Sequence, residues 1–161
     1  FDYNNPNVRS FIEFLKDFSE RAEIFSAGHS VYTSNDGQFR IDYLDRIVNR
    51  ATGQPLATPA RISQDKGVIE VSKSHFLKYT VPQRMAILLH EISHFYLNDK
   101  MEDEVEASLN ALKIYLGLGY PRIDAQLAFL QVFAGTPSEL NKRRYQILDK
   151  YIRDFDNNKK V

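Results

Sequence analysis

Cysteine is absent from the 161 residues. Disulfides and thiolate metal sites are thereby excluded, so any metal must be held by His, Asp or Glu. A surplus of charge is lacking as well, since 21 basic residues balance 21 acidic ones. Nucleic-acid binders carry a basic surplus, so no nucleic-acid partner is expected. No apolar run approaches the ~20 residues of a membrane span, and no membrane partner is expected either. The polar start, Phe1-Asp2-Tyr3-Asn4-Asn5-Pro6, is unlike a signal peptide. Beginning on Phe rather than Met, the chain reads as a processed form or an excised fragment. Compartment, oligomeric state and any upstream pro-segment or further domain are left open. Repeats, linkers and low-complexity blocks are missing too, and the length suits one domain over residues 1–161 with a real core.

What is present is strong periodicity. Asn5-Pro6 reads as an N-cap followed by proline at the first helical position. Val8, Phe11, Ile12, Leu15, Phe18, Ala22 and Phe25 then recur at spacings of three and four, predicting a helix over about 6–27 that Gly28 stops. Between about 30 and 72 the period shortens. Val31-Tyr32-Thr33 and Phe39-Arg40-Ile41-Asp42-Tyr43 flank Asn35-Asp36-Gly37, a hairpin signal. Arg61-Ile62-Ser63 and Val68-Ile69-Glu70-Val71 read as two more short strands, after a loop holding Gly53, Pro55 and Pro59. From Thr80 onward the pattern is helical: Thr80 and Gln83 form a capping box for a helix to about Asp99. Further helices are predicted over about 102–116, from Pro121 to about Phe133, and from the box Thr136-Pro137-Ser138-Glu139 to about Phe155. The fold class is α+β: an N-terminal helix, a small, mostly antiparallel sheet and a helical C-terminal half.

The third quarter of the chain carries the chemistry. In His90-Glu91-Ile92-Ser93-His94 the two histidines lie one helical turn apart and project from the same side. That spacing lets two imidazoles reach one ion at about 2.0–2.1 Å each. Glu91 sits beside them without being aimed at the ion. Zinc lowers the pKa of water toward ~7, and a neighbouring glutamate can take the proton and pass it to a leaving amine. Met85, Leu88, Leu89, Ile92, Phe95 and Tyr96 line the opposite side as expected core, while Ala86, Ile87, Ser93 and Leu97 flank the histidines. Such a helix belongs in the middle of the protein, where buried histidines and glutamate need polar partners.

A third ligand has to come from elsewhere. His29 and His75 lie upstream, and positions 97 and 100 are Leu and Lys, which excludes the three-histidine metzincin pattern. The next helix offers Glu102, Asp103, Glu104 and Glu106. Glu104 shares a stripe with Ser108, Ala111 and Tyr115, beside the apolar Val105, Leu109, Leu112 and Leu116. Glu106 falls on the side of Asn110 and Lys113, which reads as solvated, as would a plain run of surface charge. Glu104 is therefore preferred, with zinc as the expected cofactor.

His90-Glu91-Ile92-Ser93-His94 followed by Glu104-Val105-Glu106-Ala107-Ser108 resembles the gluzincin metallopeptidases, most of all the compact ImmA/IrrE-like and minigluzincin forms. The resemblance covers roughly residues 61 to 116. It implies Glu104 as ligand and Ala107 as its small neighbour. Ser108 stands where many members hold Asp or Asn to contact a ligating histidine, and a hydroxyl makes a weaker contact. The likeness also implies that Val68-Ile69-Glu70-Val71 precedes the active-site helix as an edge strand able to pair with extended substrate. Tyr115 and Tyr120 are candidates for stabilising an oxyanion, with His75 and His29 as rivals.

The expected function is hydrolysis of peptide bonds in a protein or peptide substrate, with Glu91 as general base. Two other classes compete: a gluzincin-like binding or structural module of a larger assembly with weak or absent catalysis, and a hydrolase of non-peptide amides.

Overall fold

The computed structural model describes residues 6–24, 30–34, 37, 39–63, 66–98, 100, 103–127 and 139–159. Their order is α1 (Pro6–Arg21), β1 (Ser30–Thr33), β2 (Arg40–Leu44), β3 (Ala60–Ile62), β4 (Ile69–Ser72), α2 (Lys73–Phe76), α3 (Val81–Ile92), a π-helical turn (Ser93–Leu97), α4 (Glu104–Gly117), α5 (Arg122–Leu127) and α6 (Glu139–Lys159). The α+β class expected from the periodicity is what the chain adopts. Asn5, Phe25, Gly28, the Asn35-Asp36 pair, the end of the helix expected to run to Phe133 and the Thr136-Pro137-Ser138 cap fall outside the described residues.

The four strands form one sheet in the order β1-β2-β4-β3. β1/β2 and β3/β4 are antiparallel, whereas β2 and β4 run parallel with Ile41 opposite Ile69 and Tyr43 opposite Val71. Those four side chains all point into the core. α1 closes over them with Phe11, Phe14, Leu15 and Phe18, and Phe18 meets the Tyr43 ring edge-on at 5.1 Å. This is one side chain's share of a cluster that also draws on α3, α4 and α6.

α3 runs through the middle. Thr80 caps it as expected: its hydroxyl accepts the Gln83 N–H while the Gln83 side chain accepts the Thr80 N–H. Thr80 also donates to Asp124 of α5 at 3.1 Å. Every residue from Gln83 to Ile92 is buried. Among them is Arg84, which the periodicity does not single out. It donates to Ser19 O at 3.0 Å and to Glu23 at 2.5 Å, and lies over the Phe76 ring at 5.7 Å, which fastens α3 to α1.

The helix does not continue as α to Asp99. Ser93 Oγ donates to its own Leu89 carbonyl at 2.7 Å, and the Asn98 N–H reaches back five residues to Ser93 O. Such back-bonding loosens the α ladder, and π turns of this kind concentrate at functional sites. The widened turn rotates Phe95 and Tyr96 away from the core side on which a 3.6-residue period puts them. Phe95 is half-buried, while Tyr96 and Leu97 are each 38% exposed. Tyr96 packs edge-on against Phe39 at 5.7 Å.

Both rings also cover the β3–β4 turn at Gly67. Gly67 has a φ of +68°, and a Cβ there would lie 2.9 Å from the Phe95 ring. Gly67→Ala should therefore combine left-handed strain with a clash, costing about 1–3 kcal/mol. Thermal unfolding would register that as a fall in Tm of roughly 2–12 °C. An unchanged Tm would mean that this turn and the π segment are not in contact.

Candidate metal centre

Three side chains from two helices converge. His90 Nε2 lies 3.1 Å from His94 Nε2 and 2.9 Å from Glu104 Oε2, and His94 Nε2 lies 3.2 Å from Glu104 Oε1. His90 is 1% exposed and His94 10%, whereas the Glu104 side chain is 48% exposed and forms the open side. Ligands held tetrahedrally at about 2.0–2.1 Å are separated by about 3.3 Å, so the observed spacings suit a small divalent cation. The donor chemistry agrees. Two imidazole lone pairs cannot face one another and a carboxylate without something positive between them, either a proton or an ion. Among the described residues, His90, His94 and Glu104 are the one His/Asp/Glu group with ligand atoms close enough for this. The residues fit a resident metal.

Each ligand is aimed by its surroundings. Ser108 Oγ, one turn along α4 from Glu104, sits 3.0 Å from His90 Nδ1. With the Nδ1 proton donated to that hydroxyl, Nε2 is left with its lone pair directed at Glu104 and His94. The contact that the serine puts in question is thus geometrically present. Ser108→Ala should weaken zinc binding by about tenfold, the lower end for loss of a partner of a ligating histidine. Competition against a zinc-sensitive dye would measure it, and an unchanged affinity would show that Ser108 does not orient His90.

Glu104 is the first residue of α4. Asp103 is the N-cap, accepting the Glu106 N–H at 3.0 Å. That cap fixes where α4 starts, two residues later than the periodicity places it, and gives Asp103 a structural task. The expected stripe is real: Ser108, Ala111 and Tyr115 are all buried below Glu104. Asn98, which lies outside the motif, ties together the two segments that carry the candidate ligands. Its Nδ2 donates to Asp103 O at 2.9 Å and Lys100 O at 3.1 Å, and its Oδ1 accepts from Asn110 at 3.0 Å. An asparagine just past a helix end, where it can bond neighbouring backbone, was the available signal.

The two remaining glutamate environments contrast. Burial would raise Glu104, yet contacts with both imidazoles hold its carboxyl well below the usual carboxylate range. Burial pushes the Glu91 carboxyl up to about 8, against the pull of His94, with the Glu104 charge adding to the rise and the Ile62 N–H opposing it. A divalent cation beside them would favour the ionised form of Glu91.

The strand beside this carboxyl is β3, and here the sequence reading is corrected. β4 lies between β2 and β3, so its backbone is engaged on both sides and it offers no edge. The edge is β3. Ser63 N–H bonds Val68 O and Ser72 N–H bonds Pro59 O, which makes Arg61–Glu70 the hydrogen-bonded pair between them. Ala60 and Ile62 consequently turn their backbone groups outward, and the Ile62 N–H meets Glu91.

Tyr115, expected as an oxyanion donor, is a core residue. It is 0% exposed, its hydroxyl donates to Pro121 O at 2.6 Å, and its ring stacks on Tyr120 at 5.2 Å. Burial raises its pKa, with Asp124 and Tyr120 adding to the effect. A side chain so committed to the α4–α5 connection cannot meet a substrate carbonyl without rearrangement. His75 is on α2, with Nδ1 2.9 Å from Ser72 Oγ. His29 and Glu102 lie outside the described residues.

Fold and site together define an α+β protein with a candidate His/His/Glu metal tripod. Comparison of the chain with protein-family models, curated proteins and solved structures returns no match in any of the three. The likeness to gluzincins therefore rests on its own residues.

Proposed function

We propose that this chain is a zinc-dependent peptidase of gluzincin type, acting on an extended protein or peptide segment. The observation that carries the reading is the convergence of His90, His94 and Glu104 beside a buried glutamate that is not one of the three. A site built only to hold metal has no need of Glu91, whose burial is costly. Zinc bound there would supply Lewis acidity, polarising a carbonyl and making water a nucleophile near neutral pH. Glu91 would take the proton from that water and return it to the leaving amine. The Ile62 N–H orients its carboxylate, and Ser108 keeps His90 in the ligating tautomer. With the Ala60 carbonyl accepting from Thr58 Oγ1 at 3.0 Å and the Ile62 N–H meeting Glu91, the outward Ala60 N–H and Ile62 carbonyl would pair with substrate main chain, drawing the scissile bond past Glu91.

The commitment of Tyr115 and His75 to internal hydrogen bonds favours the second reading, a metal-holding module with weak catalysis, because neither is presented as an oxyanion donor. Casein digestion by zinc-loaded protein, with Glu91→Gln alongside, separates the two. Cleavage by the wild type alone supports the peptidase, whereas intact casein with both proteins supports the module.

A further inference from the structure

The outer face of the sheet next to β3 carries a charge pattern that the metal centre does not use. Two adjoining hollows, of about 290 and 610 Å³, share Arg50, Ser63 and Glu70. Among the described residues lining them, four cations, Arg40, Arg50, Arg61 and Lys66, stand against two carboxylates, Asp42 and Glu70. Arg40 is matched by Asp42 at 2.7 Å. Glu70 is shared: Arg61 reaches it at 3.1 Å and Arg50 at 2.8 Å. Burial would raise the Glu70 pKa, but the two guanidiniums hold it below the ordinary range, so it stays ionised and offsets one of them.

The unmatched charge is also the accessible charge. Arg61 is tied down, with Nη1 donating to Val48 O at 3.0 Å. Arg50 touches Glu70 through Nη2 alone, and its side chain is 75% exposed. Lys66 is exposed, with no carboxylate partner among the described residues.

Strand geometry determines what would meet these cations. Arg61 points to the outer face with Glu70, whereas Ala60 and Ile62 point toward the core. A peptide added to β3 alternates in the same way, turning every second side chain to the outer face of the sheet, the face that carries Arg50, Arg61 and Lys66. We propose that this groove makes the protein selective for extended segments bearing Asp or Glu at alternate positions. The inference rests on the peptidase reading for its edge strand and adds the chemistry of the substrate.

The test uses zinc-loaded Glu91→Gln protein, which holds peptide without turning it over, and fluorescence anisotropy with three labelled octapeptides. One alternates Glu and Val, one alternates Lys and Val, and one has the Glu/Val composition in blocks of two. The alternating Glu/Val probe should bind about tenfold tighter than either of the others, as two screened charge contacts allow. Adding Arg50→Glu and Lys66→Glu should erase that preference with zinc content unchanged. Equal binding of all three probes overturns the proposal, as does a preference that survives charge reversal. Tighter binding of a thymidine 20-mer than of the Glu/Val probe also overturns it, by marking a general polyanion surface. Failure of the peptidase reading looks different, because wild type would then leave casein intact while the Glu/Val preference persists.

Discussion

His94→Ala should reduce bound zinc from about one ion per chain to near none. The proposed site has three protein ligands, and removing one leaves two that cannot hold the ion against buffer or a mild chelator. The loss should appear in stability as well as stoichiometry. At free zinc a hundredfold above Kd, binding to the folded state alone adds ~2.7 kcal/mol, which for a chain of this length raises Tm by roughly 5–10 °C. Wild type should show that rise on adding zinc and His94→Ala should not. Glu104→Ala should behave like His94→Ala. Glu106→Ala should behave like wild type, since its place in the first turn is tied to the Asp103 cap through its N–H. Retention of zinc by Glu104→Ala with loss from Glu106→Ala would refute the assignment of the third ligand.

Glu91→Gln should keep zinc and lose turnover by about 10²–10⁴-fold, the usual share of a positioned general base. Glutamine keeps the shape and an oxygen able to accept the Ile62 N–H, so the site around it should not collapse. It does not recover the proton-accepting oxygen. Because a buried carboxyl pushed up to about 8 is a cost in the metal-free fold, Tm of the metal-free variant should equal or exceed that of wild type. Measured on casein with matched zinc content, a variant retaining more than a tenth of wild-type rate would remove Glu91 from the proton-transfer role.

These expectations come from a site much of which was legible without coordinates. The one-turn spacing of His90 and His94 is a statement about helix geometry and carried over directly. So did the stripe through Glu104, Ser108, Ala111 and Tyr115, because burial on a packed helix follows its period. The capping box at Thr80 carried over for the same local reason.

What escaped was set by longer-range contacts. A π turn has no distinct composition; Ser93 bonding to Leu89 O and the rings of Phe95 and Tyr96 seating over Gly67 accompany it, and the latter needs the sheet in place. Strand order could not be read from strands of three to five residues, so β4 was given an edge that belongs to β3. Tyr115 has the right distance along the chain for an oxyanion donor, but the Pro121 carbonyl that claims its hydroxyl appears only once α4 turns into α5. Arg84 reads as polar in a run of apolar neighbours, and only the placement of Ser19 O and Glu23 makes its burial affordable.

The most direct test of the metal tripod is an anomalous difference map at the zinc edge from crystals of the zinc-loaded protein. A single peak within about 2.0–2.2 Å of both His90 and His94 Nε2 and of one Glu104 oxygen is the predicted result. A map with no peak there, or with zinc held by other side chains while these three keep to themselves, would contradict the account.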